Sequence, residues 1–145
     1  MPPILISLLL LSIGFLSQPS EARTSQYDLT GTFLQAMDGD TFDLLVNGDV
    51  CRIRLKLVGT PERGRWHHKE AKAALEKLLK GRDITAECYK KHMSWGRVRH
   101  VCRVFANEID VDMTLFRMGF GAYMKKFEKQ FTQDERALFV QHTVL

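Results

Sequence analysis

The chain has no apolar run long enough to cross a bilayer, and no internal repeat or low-complexity segment after its first 22 residues. Its longest apolar run, Ile4–Leu16, is 13 residues, against the roughly 20 that a membrane-spanning helix needs. Cysteine is scarce, three in 145 residues. None of the three stands in a C-x-x-C pair or at Cys/His ligand spacing, which argues against a zinc site. The first 22 residues contain no lysine or arginine and one acid, Glu21. With 45% apolar and 26% charged residues, the composition excludes a disordered, collagen-like or multi-span membrane chain. The length fits one domain with a real core.

What is present at the start is the layout of a secretory signal peptide. The apolar run is followed by Ser17-Gln18-Pro19, and Ser20 and Ala22 place small residues at the −3 and −1 positions of a cut after Ala22. Only the α-amino group supplies positive charge in the n-region, which leaves a short uncleaved anchor as the alternative. Cleavage leaves residues 23–145 as a single domain, 123 residues carrying 21 basic and 16 acidic side chains, net +5. In an oxidising compartment Cys51, Cys88 and Cys102 read as structural, and the odd count leaves one over.

Periodicity organises the rest. Thr32–Ala36 and Thr41–Val46 read as strands, and Asn47-Gly48 between apolar, β-branched runs is a strong hairpin signal. Next, Cys51, Ile53, Leu55 and Leu57 alternate with Arg52, Arg54 and Lys56, so one face is apolar and the other a row of cations, ending at Pro61. From His68 the spacing of Ala71, Ala74, Leu75, Leu78 and Leu79 is helical, with Gly81 placed to end the helix. Ile84–Tyr89 and Val98–Ala106 read as strands joined by a polar loop, Lys90–Arg97. Asp112 is positioned to cap a short helix through Arg117 that Gly119 ends. Thr132-Gln133-Asp134-Glu135 is a capping box opening a last helix through about Val140. The order β-β-β-α-β-β-α-α predicts an α+β fold, a five-stranded OB-type β-barrel with about three helices.

Three segments carry chemistry. Asp38-Gly39-Asp40-Thr41 is either a hairpin turn or a set of oxygen ligands for a hard cation. Arg54 through Thr60-Pro61-Glu62 is either a solvated strand face or an arginine fork suited to phosphate with a carboxylate able to take a proton from water. Trp95-Gly96-Arg97 is a turn, or an aromatic and a cation offered to a ligand.

In this order and spacing the three segments resemble the thermonuclease (staphylococcal nuclease-like) family, in its exported form. The similarity continues through Asp110-Val111-Asp112 and Leu115-Phe116-Arg117-Met118-Gly119 and covers about residues 30–125. The resemblance implies an OB-fold barrel and hydrolysis of DNA or RNA phosphodiesters, often with Ca²⁺. Position by position, Arg54 and Arg97 match the two phosphate-clamping arginines and Glu62 the general base. Asp40 matches a metal ligand, Thr60 a backbone carbonyl ligand, and Asp38 a residue that supports the ligands from behind. Exported relatives carry a cysteine on each strand flanking the Gly-Arg loop. That implies a Cys88–Cys102 disulfide, with Cys51 free on the core face of its strand.

The sequence also departs from the family. Gly59 stands where an acid usually supplies a second metal ligand, so Ca²⁺ is expected to bind weakly, because affinity follows ligand charge. Met93 replaces a frequent acid, and Trp95 a tyrosine. His67, His68, His92 and His100 are assigned no role. Lys90, Lys91, Arg97, Arg99, Arg103, Lys125 and Lys126 form either a nucleic-acid-facing surface or an ordinary solvated face. The expectation is a secreted or periplasmic, monomeric nuclease acting on single-stranded DNA or RNA, without stable membrane association after cleavage. The alternative is a non-catalytic OB-type nucleic-acid-binding module.

Overall fold

A computed structural model describes residues 25–143; the leader and its cut site lie outside the described residues. Strands β1 (Tyr27–Ala36), β2 (Thr41–Val46) and β3 (Asp49–Leu55) form an antiparallel meander. A two-residue strand β4 (Val58–Gly59) follows, then helix α1 (His68–Leu79). Strands β5 (Ile84–Ser94) and β6 (Arg97–Ala106) form a long hairpin, and a short β7 (Ile109–Asp110) leads into helix α2 (Val111–Arg117). After β8 (Ala122–Tyr123), a 3-10 helix (Lys125–Gln130) and helix α3 (Gln133–Thr143) complete the described chain.

The sheet order β3-β2-β1-β5-β6-β7, with β3 also pairing parallel to β6, closes a five-stranded mixed barrel with one added strand. The fold is α+β and OB-type, as the element order predicts. β1 is twice its expected length because its two halves have different partners. Tyr27–Gly31 pairs with β5, and Thr32–Ala36 with β2. Phe42, Leu44, Ile53, Leu55, Ile84 and Val104 fill the barrel, and Leu75 and Leu79 of α1 join the same core.

The expected loop Lys90–Arg97 is instead strand almost throughout. Backbone pairing runs out to Ser94↔Arg97, and Trp95-Gly96 alone make the turn, both at positive φ (52° and 72°). Asn47-Gly48 turns the same way. The outer part of the β5–β6 hairpin projects beyond the barrel, so several residues on both of its sides are wet and the apolar alternation that marks a strand is lost. A bulge at Tyr89 re-aims that side chain into the interior, where it is buried.

Cys88 and Cys102 face each other across the hairpin and form a disulfide, Cα–Cα 4.0 Å. Cys51 is free and packs against the core from its strand. Labelling the unfolded, unreduced protein is expected to modify one thiol, Cys51, by intact mass. Replacing Cys88 and Cys102 together by serine is expected to lower unfolding free energy by roughly 3 kcal/mol in denaturant titration, the value for a loop of about this size.

Two other expectations are corrected. The cap of α2 is Asp110, whose side chain accepts from Met113 N at 3.1 Å. Asp112 is fully buried and accepts from Leu57 N (3.0 Å) and Val104 N (3.1 Å), tying the turn after β3, strand β6 and α2 together. Burial pushes its carboxyl up to about 6 against the attraction of Arg103. The row Arg52, Arg54 and Lys56, on β3 and just after it, is also not a solvated face, one of the two readings left open from sequence. Arg54 and Lys56 are buried, and each member has its own carboxylate: Arg52 with Asp43 (2.9 Å), Arg54 with Asp40 (3.2 Å), Lys56 with Glu135 (2.7 Å). The 3-10 helix and α3 supply the cover, so this wall of the barrel has a second, polar layer outside it.

Candidate active site

The turn Met37–Asp40 packs on the chain entering α1. A Cβ on Gly39 would lie 2.6 Å from Thr60 Oγ1 and 2.7 Å from Ala71 Cβ, so the turn sits this close only because residue 39 has no side chain. That approach lets Asp40 Oδ2 accept from Thr60 N at 2.7 Å. The same oxygen pairs with Arg54 Nη1, which also donates to the carbonyls of Leu55 (3.2 Å) and Val58 (3.1 Å). Asp40 Oδ1 accepts from the Thr41 hydroxyl at 3.0 Å, and Asp38 Oδ1 from Asp40 N at 3.0 Å. Burial, then the charge of Asp40, pushes the Asp38 carboxyl up to about 6.

These residues line a cleft of about 240 Å³ that brings together Asp38, Asp40, Arg54, Thr60 and Glu62. Arg97 is not in it. It lies at the foot of the hairpin turn in an adjoining cleft of about 440 Å³, beside Trp95 and Arg52. Asp38, Glu62 and Arg99 line both clefts, so Glu62 borders the space of each arginine. The loop bearing Glu62 is closed by Arg65 N donating to Glu62 O (3.0 Å), and His68 Nδ1 donates to Pro61 O at 3.0 Å. His68, given no role from sequence, thus pins the proline that precedes the base candidate.

Of the basic residues read as a possible binding surface, Arg103 does not belong there. It is buried and bonded to Asp110 and Glu135, with Asp112 nearby. Lys126 does line the smaller cleft. Phe127 beneath it is buried and holds three cations over its ring, Lys90 (4.7 Å), Lys126 (5.6 Å) and Arg54 (5.9 Å). Trp95 is fully exposed at the hairpin tip, in a backbone conformation that is costly for so large a residue.

The residues present do not fit a calcium centre. Such an ion takes six to eight oxygens, carboxylates prominent among them. Both oxygens of Asp40 already accept a hydrogen bond, and one of them is also ion-paired with a guanidinium. Gly59 brings no carboxylate, and the methyl of Met124 lies against the place where a Cβ on residue 59 would stand. Among the described residues no group of three or more His, Cys, Asp or Glu is arranged to hold a metal.

The sequence placed Arg99 only in a possible basic surface, gave His68 no role and did not point to Met124 at all. Arg99 carried a signal, since it stands two residues from Arg97 on one strand and so shares its face. Met124 carried none, because its role depends on a chain reversal 65 residues after Gly59. No protein-family model matches the chain, and no curated protein is significantly similar to it.

Proposed function

We propose that the protein is an exported phosphodiesterase that hydrolyses single-stranded DNA or RNA, with Arg54 and Arg97 holding the phosphate and Glu62 as general base. The observation that carries this reading is that Glu62 borders both the cleft of Arg54 and the cleft of Arg97. A phosphodiester resists attack because its oxygens are anionic. Two fixed guanidinium groups stabilise the charge that grows on them in the transition state. Glu62 removes a proton from a water as its oxygen bonds to phosphorus. The opposite P–O bond to the sugar breaks, and the leaving oxygen is protonated from solvent. Trp95, exposed beside the larger cleft, offers a face on which an unpaired base stacks, which favours single strands over duplex. Export rests on the leader and agrees with the disulfide, a bond typical of oxidising compartments. No helix among the described residues is long and apolar enough to cross a membrane.

Purified mature protein is expected to degrade single-stranded DNA or RNA on a gel. No step here uses calcium, because the donor set does not fit it. Cleavage is therefore expected to change by about threefold or less on adding a chelator, as suits a site of so few free carboxylates. A sharp loss restored by micromolar calcium would contradict this. Met124 against Gly59 and the Asp40–Arg54 pair also favour a second reading, a binding module without turnover. Salt-sensitive binding with no cleavage would establish it.

A further inference from the structure

We propose that Arg99 is a phosphate-binding residue which, with Arg54, forms an anion site that takes a nucleic-acid phosphate without a metal ion. It rests on reading the two clefts as a nucleic-acid site, but not on their being catalytic.

Arg99 is the exception among the buried and half-buried arginines of β3 and β6. Arg52, Arg54 and Arg103 each have a carboxylate within 4.0 Å, and Arg99 has none among the described residues. Its Nε is buried and without a hydrogen-bond partner. A buried donor of this kind is costly to leave unmade, by about 1–3 kcal/mol and more when charged. It is therefore a group whose partner comes from outside the fold. Arg99 lines both clefts and is the cation they share. Burial and then the charge of Arg54 weigh against its own charge, and Asp40 and Asp38 offset this only from beyond ion-pair distance. Lys126 stands on the same cleft, and His92, whose Nδ1 is also unpartnered, touches Lys126 at 3.4 Å. A phosphate oxygen pair fits the planar fork of one arginine and bridges to the other, relieving their repulsion. The charge that a divalent cation would bring is thus supplied by a side chain on β6, in a cleft whose carboxylates are poorly placed to hold such a cation.

The test is equilibrium binding of an oligothymidylate to the mature, disulfide-intact protein in chelator, by fluorescence anisotropy across a salt series, with inorganic phosphate as competitor. Wild type is expected to bind, with inorganic phosphate displacing the strand. Arg99→Gln is expected to weaken binding about tenfold or more and to lower the salt slope by about one, the signature of a lost phosphate contact. Arg99→Lys keeps charge without the fork and is expected to fall between them. It also serves if Arg99→Gln fails to fold by circular dichroism, and wild-type affinity in Arg99→Lys would then overturn the proposal. Binding by Arg99→Gln within about twofold of wild type, or wild-type binding that needs calcium, also overturns it. If wild type binds through Arg99 and cleaves nothing, the nuclease reading falls and this one stands. If it cleaves while Arg99→Gln binds normally, the reverse holds.

Discussion

Glu62→Gln is expected to slow cleavage of single-stranded nucleic acid by roughly 100- to 10,000-fold, the range that a positioned general base contributes. The fold should not change. Glu62 is exposed, and the contact that closes its loop, Arg65 N to Glu62 O, is made by backbone that glutamine also supplies. Affinity should hold or rise slightly, because the variant removes an anion from beside the bound phosphate. That split, lost turnover with retained binding, distinguishes a proton acceptor from a residue that merely shapes the cleft. Equal turnover by the variant would sink the mechanism. Weakened binding in step with turnover would move Glu62 from the chemistry to the architecture.

Local signals in the sequence translated well wherever a few neighbouring residues decide the conformation. Asn47-Gly48 turns with both residues at positive φ, and Thr132 and Glu135 exchange the two bonds of a capping box, at 3.0 and 2.9 Å. The spacing of Ala71 through Leu79 gives the buried stripe of α1. What failed were inferences about what lies outside a segment. Alternation put Arg52, Arg54 and Lys56 on one face correctly, but an alternating strand does not say whether its polar face meets water or a second layer. Here that layer comes from residues 125–143, some 70 positions later. Asp110 and Asp112 are both plausible caps by type. The choice followed burial, since the second carboxylate is needed inside by two backbone N–H groups from distant strands. Among the site residues, Asp40, Arg54, Thr60 and Glu62 were legible as a set only through the family resemblance, and one turn and one strand end bring them to one cleft. Arg99 was legible only as one cation of a possible surface, because its distinguishing property, a buried Nε without a partner, is revealed only by the packed neighbours.

The largest expected loss of stability comes from that second layer. Glu135→Ala is expected to cost roughly 3–5 kcal/mol, the range for removing one partner of a buried ion pair. One carboxylate serves two buried cations and a helix end. Oε1 accepts from Lys56 Nζ (2.7 Å) and Thr132 N (2.9 Å), and Oε2 from Arg103 Nη1 (3.3 Å). Arg103 retains Asp110 and Asp112 in the variant, so the loss falls chiefly on the ion pair of Lys56, a residue 2% exposed. The pH dependence separates this charge effect from simple loss of packing. Burial raises the Glu135 carboxyl, but the Lys56 and Thr132 hydrogen bonds and the charges of Lys56 and Arg103 outweigh it and hold the group below its ordinary 4.5. Its contribution is therefore complete above pH 4.5 and is lost as pH falls through the folded value. Asp112 has the opposite sign. Raised from 3.8 to about 6, it contributes most below 3.8 and its contribution is lost as pH rises through about 6. Because Asp112 is present in both proteins, subtracting their denaturant-derived stabilities between pH 3 and 7 isolates Glu135. The difference should be large at pH 7 and shrink toward pH 3. A difference below about 1 kcal/mol at pH 7, the size of a surface pair, would mean that the outer layer does not bury these charges as described. A large difference that ignores pH would assign the loss to packing of α3 rather than to its carboxylate.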